Sequence, residues 1–300
     1  MLLLLGLFVG VLLPIQTSIN SKFRFKVKSP YLATVNSLVG GTLFLVIVAL
    51  LIHQPLWVTS VANSHWWLYL GGVMGAFAFT VNILLLPRLG AVQTVIMPLL
   101  GQIVMSMAID NFGWFNLPIS KFNLIRLVGI IALLAGVLLV VYQKNVKTGN
   151  GNPLPWQILG ILAGFALSVQ TSSNGALGRT IHFPVTAGIF SLFSGAVIMI
   201  LAVGLLQRNL THLAWAAGHG NRWWIWIGGP LGAVYLLGSL LLAPIIGAGT
   251  TIVLTILGNV LGGLIIDKYG LIGTPKRAVG IRQYTGLLVM MFGIALIKLF

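Results

Sequence analysis

Stretches of about twenty apolar residues, broken only by short polar or Pro/Gly-containing turns, follow one another along the whole chain, at about 2–21, 30–52, 66–87, 91–112, 125–143, 156–177, 184–206, 222–245, 247–269 and 281–299. A helix needs about 20 residues to cross the hydrocarbon core at 1.5 Å each. Lipid offers backbone N–H and C=O groups no partner, so each stretch is expected to be a membrane-spanning helix. Ten spans and their turns use up the 300 residues and leave no room for a soluble domain. Charged residues make up only 6% of the chain and hydrophobic ones 58%, against roughly 25% charged in soluble domains. The first stretch, MLLLLGLFVGVLLP, has no basic region before it and is expected to be retained as a span.

The stretches form two copies. Gln16-Thr17-Ser18-x-Asn20 repeats as Gln170-Thr171-Ser172-x-Asn174, a shift of 154 that also matches Pro30 with Pro184, Ser37 with Ser191 and Gly41 with Gly195. At a shift of 157, Trp66-Trp67, Gly71-Gly72, Gly75-Ala76, Pro87, Gly90-Ala91, Thr94 and Gly101 match Trp223-Trp224, Gly228-Gly229, Gly232-Ala233, Pro244, Gly247-Ala248, Thr251 and Gly258. The chain's two acidic residues, Asp110 and Asp267, also fall on each other. Matches this specific point to an internal duplication. The polar run 143–155, QKNVKTGNGNPLP, is its joint. The expected organisation is a first five-helix repeat at 1–144, a cytoplasmic linker at 145–155 and a second repeat at 156–300.

Five is odd, so the second copy should cross the membrane in the opposite sense. With the first loop placed in the cytoplasm, Lys22, Arg24, Lys26, Lys28, Arg88, Lys144, Lys147, Arg208, Arg222, Lys268, Lys276, Arg277 and Arg282 lie inside, against Lys121, Arg126, Arg179 and Lys298 outside. Each copy obeys the positive-inside rule only when inverted. The expectation is an all-α integral membrane protein of ten helices in two inverted repeats, in the cell membrane, with both termini outside. The net charge of +15 is topological: 17 basic residues spread over the chain form no basic domain, so no nucleic-acid partner is expected. Without cysteine there are no disulfides, thiolate metal sites or cysteine nucleophiles. No convergent Ser/His/Asp set or pair of metal-ligating His appears near a membrane face, so the expectation is no enzyme, cofactor or metal.

GVLLPIQTSIN with NSLVGG, WWLYLGGVMGAF, and LPRLGAVQTVIMPLLGQIVMSMAIDNFGWF resemble the YdcZ-like branch of the drug/metabolite transporter superfamily. These are small five-span proteins found as oppositely oriented pairs or as fused tandem copies. The resemblance covers nearly the whole chain and implies transport without naming a cargo. The second copy departs from it where Thr255 stands for Pro98 and Asn259 for Gln102.

Gln16 and Asn20 lie one turn apart on one helix face, as do Gln170 and Asn174. Such amides need partners in lipid and should face inward, as helix–helix hydrogen bonds or as the polar lining of a path. Thr94, Pro98, Gly101 and Gln102 form a small-and-polar stripe on span four. Thr251, Thr255, Gly258, Asn259 and Gly262 repeat it on span nine, Gly258 and Gly262 being spaced for close backbone approach. Gln16, Asn20, Gln102, Gln170, Asn174 and Asn259 are therefore the expected substrate-binding residues. Asp110 and Asp267, expected near the membrane surface, suit either an interfacial pair (with Arg126, or with Lys276 or Arg282) or ion coupling. The tryptophan pairs suit headgroup anchoring, and Pro87 and Pro244 end or break their spans.

With no charge at mid-membrane, the expected function is secondary transport of a small neutral or zwitterionic metabolite by alternating access, the mechanism inverted repeats support. The alternatives are a proton- or cation-coupled exporter of cationic compounds, and a non-transporting scaffold. The expected partners are a small-molecule substrate and the bilayer, and no oligomer is required.

Overall fold

The structure, a computed structural model, describes residues 2–58, 65–116, 119, 123–141, 152–206, 223–246, 248–276 and 280–299. The chain among these residues is helical: α1 (Leu2–Val27), α2 (Pro30–Leu51), α3 (Leu70–Phe112), α4 (Leu124–Val141), α5 (Leu154–Ile181), α6 (Pro184–Leu206), α7 (Gly228–Ile246), α8 (Ala248–Tyr269) and α9 (Ile281–Leu299). Short 3₁₀ turns at Trp66–Tyr69 and Trp223–Trp226 lead into α3 and α7. Among the described residues, five helical runs are long and apolar enough to cross a membrane. Large apolar side chains lie exposed along the outside, among them Leu43, Leu138, Leu201 and Phe292, as lipid-facing positions require. Most of the expected linker, and Lys121, Lys144, Lys147, Arg208, Arg222 and Arg277, lie outside the described residues.

Local chemistry sets the helix starts. Lys28 takes a left-handed conformation (φ 53°). Ser29 then caps α2, its hydroxyl accepting from Leu32 N at 3.2 Å, and Pro30 fills the first turn, where its missing N–H costs nothing. The equivalent α5–α6 turn repeats this with His182 at φ 61° before Pro184. The turns after α3 and α8 match as well: Gly113 and Gly270 both have φ 64°, followed by Phe115 at 60° and Ile272 at 57°. The duplicated residues thus carry duplicated backbone.

The expectation of separate spans at 66–87 and 91–112 meets one continuous run in α3, whose 43 residues would measure about 64 Å if straight, near twice the hydrocarbon thickness. It is not straight. Gly90 has φ 83° and ψ 170°, a region open only to glycine, so the break falls there and not at Pro87. Against α5, the arm before Gly90 runs antiparallel: Gly71 meets Asn174, Gly75 meets Gln170 and Leu85 meets Gly160. The arm after it runs parallel: Met97 meets Gly160, and Pro98 and Gln102 meet Gly164. The chain reverses at Gly90.

α7 and α8 treat α1 in the same way. Gly228, Gly232 and Gly238 meet Asn20, Gln16 and Val9 in antiparallel order, while Gly258 and Gly262 meet Leu7 and Val11 in parallel order. α2 and α6, which are equivalent in sequence, pack antiparallel, Gly41 on Leu192 and Leu45 on Gly188. α4 and α9, equally equivalent, do so through Gly129 on Gly293 and Gly136 on Gly286. Sequence reading passed over these last four glycines, although their spacing of seven within α4 and again within α9 was legible.

Candidate substrate path

The amides singled out in the sequence occupy crossed positions. Gln16 and Asn20 of α1 lie on Gly232 and Gly228 of α7, while Gln170 and Asn174 of α5 lie on Gly75 and Gly71 of α3. Each first-half pair rests on second-half glycines and each second-half pair on first-half glycines. Only hydrogen at Cα lets an amide come this close, and the Asn20 and Asn174 oxygens face the glycine backbone itself. Gln16 Nε2 and Asn20 Nδ2 both donate to Ser37 Oγ, at 3.3 and 3.1 Å. The equivalent hydroxyl, Ser191 Oγ, is buried without a hydrogen-bond partner, as are the oxygens of Gln16, Asn20 and Asn174.

α3 and α8 cross the same way near Gly90, with Gly263 against Ala91 and Val95. From these contacts Gln102 lies about three turns further along α3, against Gly164 of α5, and Asn259 one turn before Gly263 on α8. Both are half-buried, and Asn259 Oδ1 and Thr94 Oγ1 have no hydrogen-bond partner. Such atoms are costly in a filled core and useful where a polar ligand or water arrives. Tyr235 was missed in the sequence: it lies half-buried on α7, where Ser239 Oγ donates to its backbone carbonyl at 3.0 Å. Its equivalent is Ala78, so comparing the two copies for matches passed over it.

Asp267 is not exposed. It is 4% accessible, and its Oδ1 and Oδ2 accept from Ala91 N and Val92 N at 2.8 and 2.9 Å. These are the first amides of the α3 arm after Gly90, groups that no preceding turn can satisfy. A second-half carboxylate therefore caps a first-half helix, with the charge placed favourably on the dipole. Expected near the membrane surface, Asp267 is buried there against the start of the α3 arm. Asp110 is half-buried.

Two ends of the bundle are distinct. At one, Lys22 Nζ stands 5.0 Å over the Trp224 ring, Arg88 stands 5.1 Å over Trp156, and Arg24 Nη1 donates to Ile83 O at 3.4 Å. At the other, Ser173 Oγ donates to Leu68 O at 2.6 Å, Thr186 Oγ1 to Pro55 O at 2.7 Å, and Trp67 meets Phe115 edge-on. Trp66 and Trp223 stand outward at 75% and 76% exposure, as interfacial anchors do.

Apolar helices with an exposed apolar exterior and buried polar groups between them define a multi-pass membrane protein. The sequence profile of the family described as "Putative inner membrane exporter, YdcZ" matches residues 1–139 and again 155–296. The chain belongs to this YdcZ family of the drug/metabolite transporter type, a class of membrane transporters and not of enzymes. The "Inner membrane protein YdcZ" of Escherichia coli (strain K12) is 28% identical over 124 residues, covering 40% of this chain and 78% of that protein. A solved crystal structure shares the fold at a TM-score of 0.61 and 16% identity, over 98% of both chains.

Proposed function

We propose that the protein is a secondary transporter built from two inverted five-span repeats, moving a small neutral or zwitterionic metabolite by alternating access. The carrying observation is the crossed packing of Gln16/Asn20 on Gly232/Gly228 and Gln170/Asn174 on Gly75/Gly71. Equivalent contacts between halves of opposite direction can loosen on one side of the membrane while tightening on the other, and smooth glycine faces let amides slide without large steric cost. In this reading the paired amides line the two gates, and Gln102 and Asn259 face the substrate between them. The first loop is cytoplasmic and both termini face outward.

The same glycine contacts also favour a second reading, a scaffold in which the amides only hold helices together. The cation-coupled exporter has less support, since two backbone amides engage the Asp267 carboxylate.

The lack of native cysteine makes the test clean. Single cysteines replace the exposed Lys26 and Lys276 at one end, His65 and Arg179 at the other, and Gln102 or Asn259 inside. Each is probed with an impermeant thiol reagent in intact cells and in inverted vesicles. Labelling of K26C and K276C only from the cytoplasm, of H65C and R179C only from outside, and of Q102C or N259C from either side is expected. Interior positions that never react would establish the scaffold instead.

A further inference from the structure

Lys22, Lys268 and Lys276 gather where α1 and α8 end. Lys22 Nζ reaches the turn after α8, where a methyl group added to Gly273 would come within 3.1 Å of it, and the Lys276 stem lies against Gly270 of the same turn. The turn is closed by its own bonds: Gly270 N donates to Ile266 O at 2.9 Å, and Thr274 N and Oγ1 both donate to Leu271 O, at 3.1 and 2.9 Å. Lys268 stands on the last turn of α8 and is exposed, as is Lys276. Of the chain's two carboxylates, Asp110 lies in the last turn of α3 at the opposite end, and Asp267 turns both oxygens onto Ala91 and Val92.

The surroundings of these cations are those of an amphiphile. Lys22 Nζ stands 5.0 Å over the Trp224 ring and Lys268 Nζ 5.6 Å over that of Tyr269, rings suited to headgroup depth. Leu261, Ile265 and Tyr269, spaced four apart on α8, form an exposed apolar stripe that ends beside Lys268. The equivalent residues of the first copy are Val104, Ala108 and Phe112, and the places of Lys22, Lys268 and Lys276 are taken there by Ala176, Asn111 and Ile119. The repeat therefore builds the same corner without any of the three cations. A charge bias serving topology alone would be met by lysines anywhere at this end; here three converge on one turn above an apolar stripe.

We propose that this corner binds an anionic phospholipid, its phosphate among Lys22, Lys268 and Lys276 and an acyl chain along Leu261 and Ile265. Phosphate oxygens accept from several ammonium groups at once, and flexible lysine stems follow a mobile headgroup. Each lysine at an anionic membrane surface strengthens binding about fivefold. Lys26, Lys28 and Arg88, exposed at the same end, add to the field without touching the turn. A lipid seated here braces the turn that follows Asp267, and with it the contact of α8 with the start of the α3 arm. The inference holds whether or not the protein transports anything.

Native mass spectrometry of the purified full chain in detergent, offered equal amounts of phosphatidylglycerol and phosphatidylcholine, reads the retained lipid. Phosphatidylglycerol is expected to be retained about fivefold or more over phosphatidylcholine. K22Q/K268Q/K276Q should weaken its binding about tenfold or more, whereas K26Q/K28Q/R88Q, which removes the same charge from the same end, should weaken it less than about threefold. K22R/K268R/K276R should keep it, and K268Q/K276Q, changing exposed side chains only, serves if the triple variant folds poorly. Glycerol phosphate, which carries the headgroup chemistry without acyl chains, should compete only at about a hundredfold higher concentration. Equal retention of the two lipids, or retention that survives K22Q/K268Q/K276Q, would overturn the proposal. So would equal loss in the two glutamine triples, which would mean a diffuse field, and competition by glycerol phosphate at lipid concentrations, which would mean a site for free phosphate.

Discussion

The Asp267 carboxylate on α8 closes the first turn of the α3 arm that begins at Ala91, joining the two ends of a sequence separation of 176 residues by a 2.8 Å hydrogen bond. The bond makes the reversal at Gly90 a junction between the sequence halves as well as a turn. D267N keeps the shape but loses the charge on the helix dipole and offers only one acceptor oxygen. It should lower stability by about 1–2 kcal/mol, with D267A lower still. Thermal unfolding in detergent measures this. An unchanged melting temperature with altered pH dependence of transport would assign Asp267 to coupling instead.

Gly90 carries the reversal through a conformation that L side chains avoid. G90A should cost about 1–3 kcal/mol even where the added methyl meets nothing, because the penalty lies in the backbone. The ordinary helical glycine Gly204, where an added methyl would have no neighbour within 4 Å, is the control. G204A should be neutral or stabilising by up to about 1 kcal/mol. A melting temperature equal for the two variants would remove the structural role of Gly90.

The glycines between sequence halves should divide by what a methyl group meets. On Gly229 it would come within 2.6 Å of Gly41 N, which is backbone and cannot swing aside. On Gly41 its nearest neighbour is the Leu192 side chain at 3.1 Å, which can. G229A should therefore destabilise by about 1–3 kcal/mol and G41A by less, as read from paired melting curves. Equal losses would mean that these helices separate more readily than their close approach implies.

Much of this architecture was legible in sequence because apolar length and internal matching are strong signals. Twenty-residue runs gave the spans, and the matched pairs Gln16/Gln170, Asn20/Asn174 and Gly71/Gly228 gave the duplication, though not that the amides lie on the glycines of the other copy. What escaped had physical reasons. The break between the spans at 66–87 and 91–112 was read from Pro87, whereas the residue whose backbone makes the reversal, Gly90, shows only in its dihedral angles. The bonds of Asp267 to Ala91 and Val92 escaped because a sequence gives depth along a helix but not the helix that covers it. Tyr235 lies in one copy only, where a search for shared residues does not look.

Ser37 and Ser191 are equivalent in sequence but differ in what they do, and that difference is measurable. Ser37 Oγ receives both first-half amides, whereas Ser191 Oγ is buried with no partner. Removing Ser37 by S37A strands Gln16 Nε2 and Asn20 Nδ2 at once and should cost about 1–2 kcal/mol, toward the upper end for a hydrogen bond between membrane helices. S191A removes an unsatisfied hydroxyl and should be neutral or slightly stabilising. If the halves exchange conformations during transport, the two serines exchange these roles, and S191A destabilises the state open to the opposite side. Melting curves taken alone and with each side locked by an interfacial cysteine cross-link would show S37A and S191A trading severity. A fixed ranking in both locked forms would mean that Gln16 and Asn20 hold one arrangement permanently.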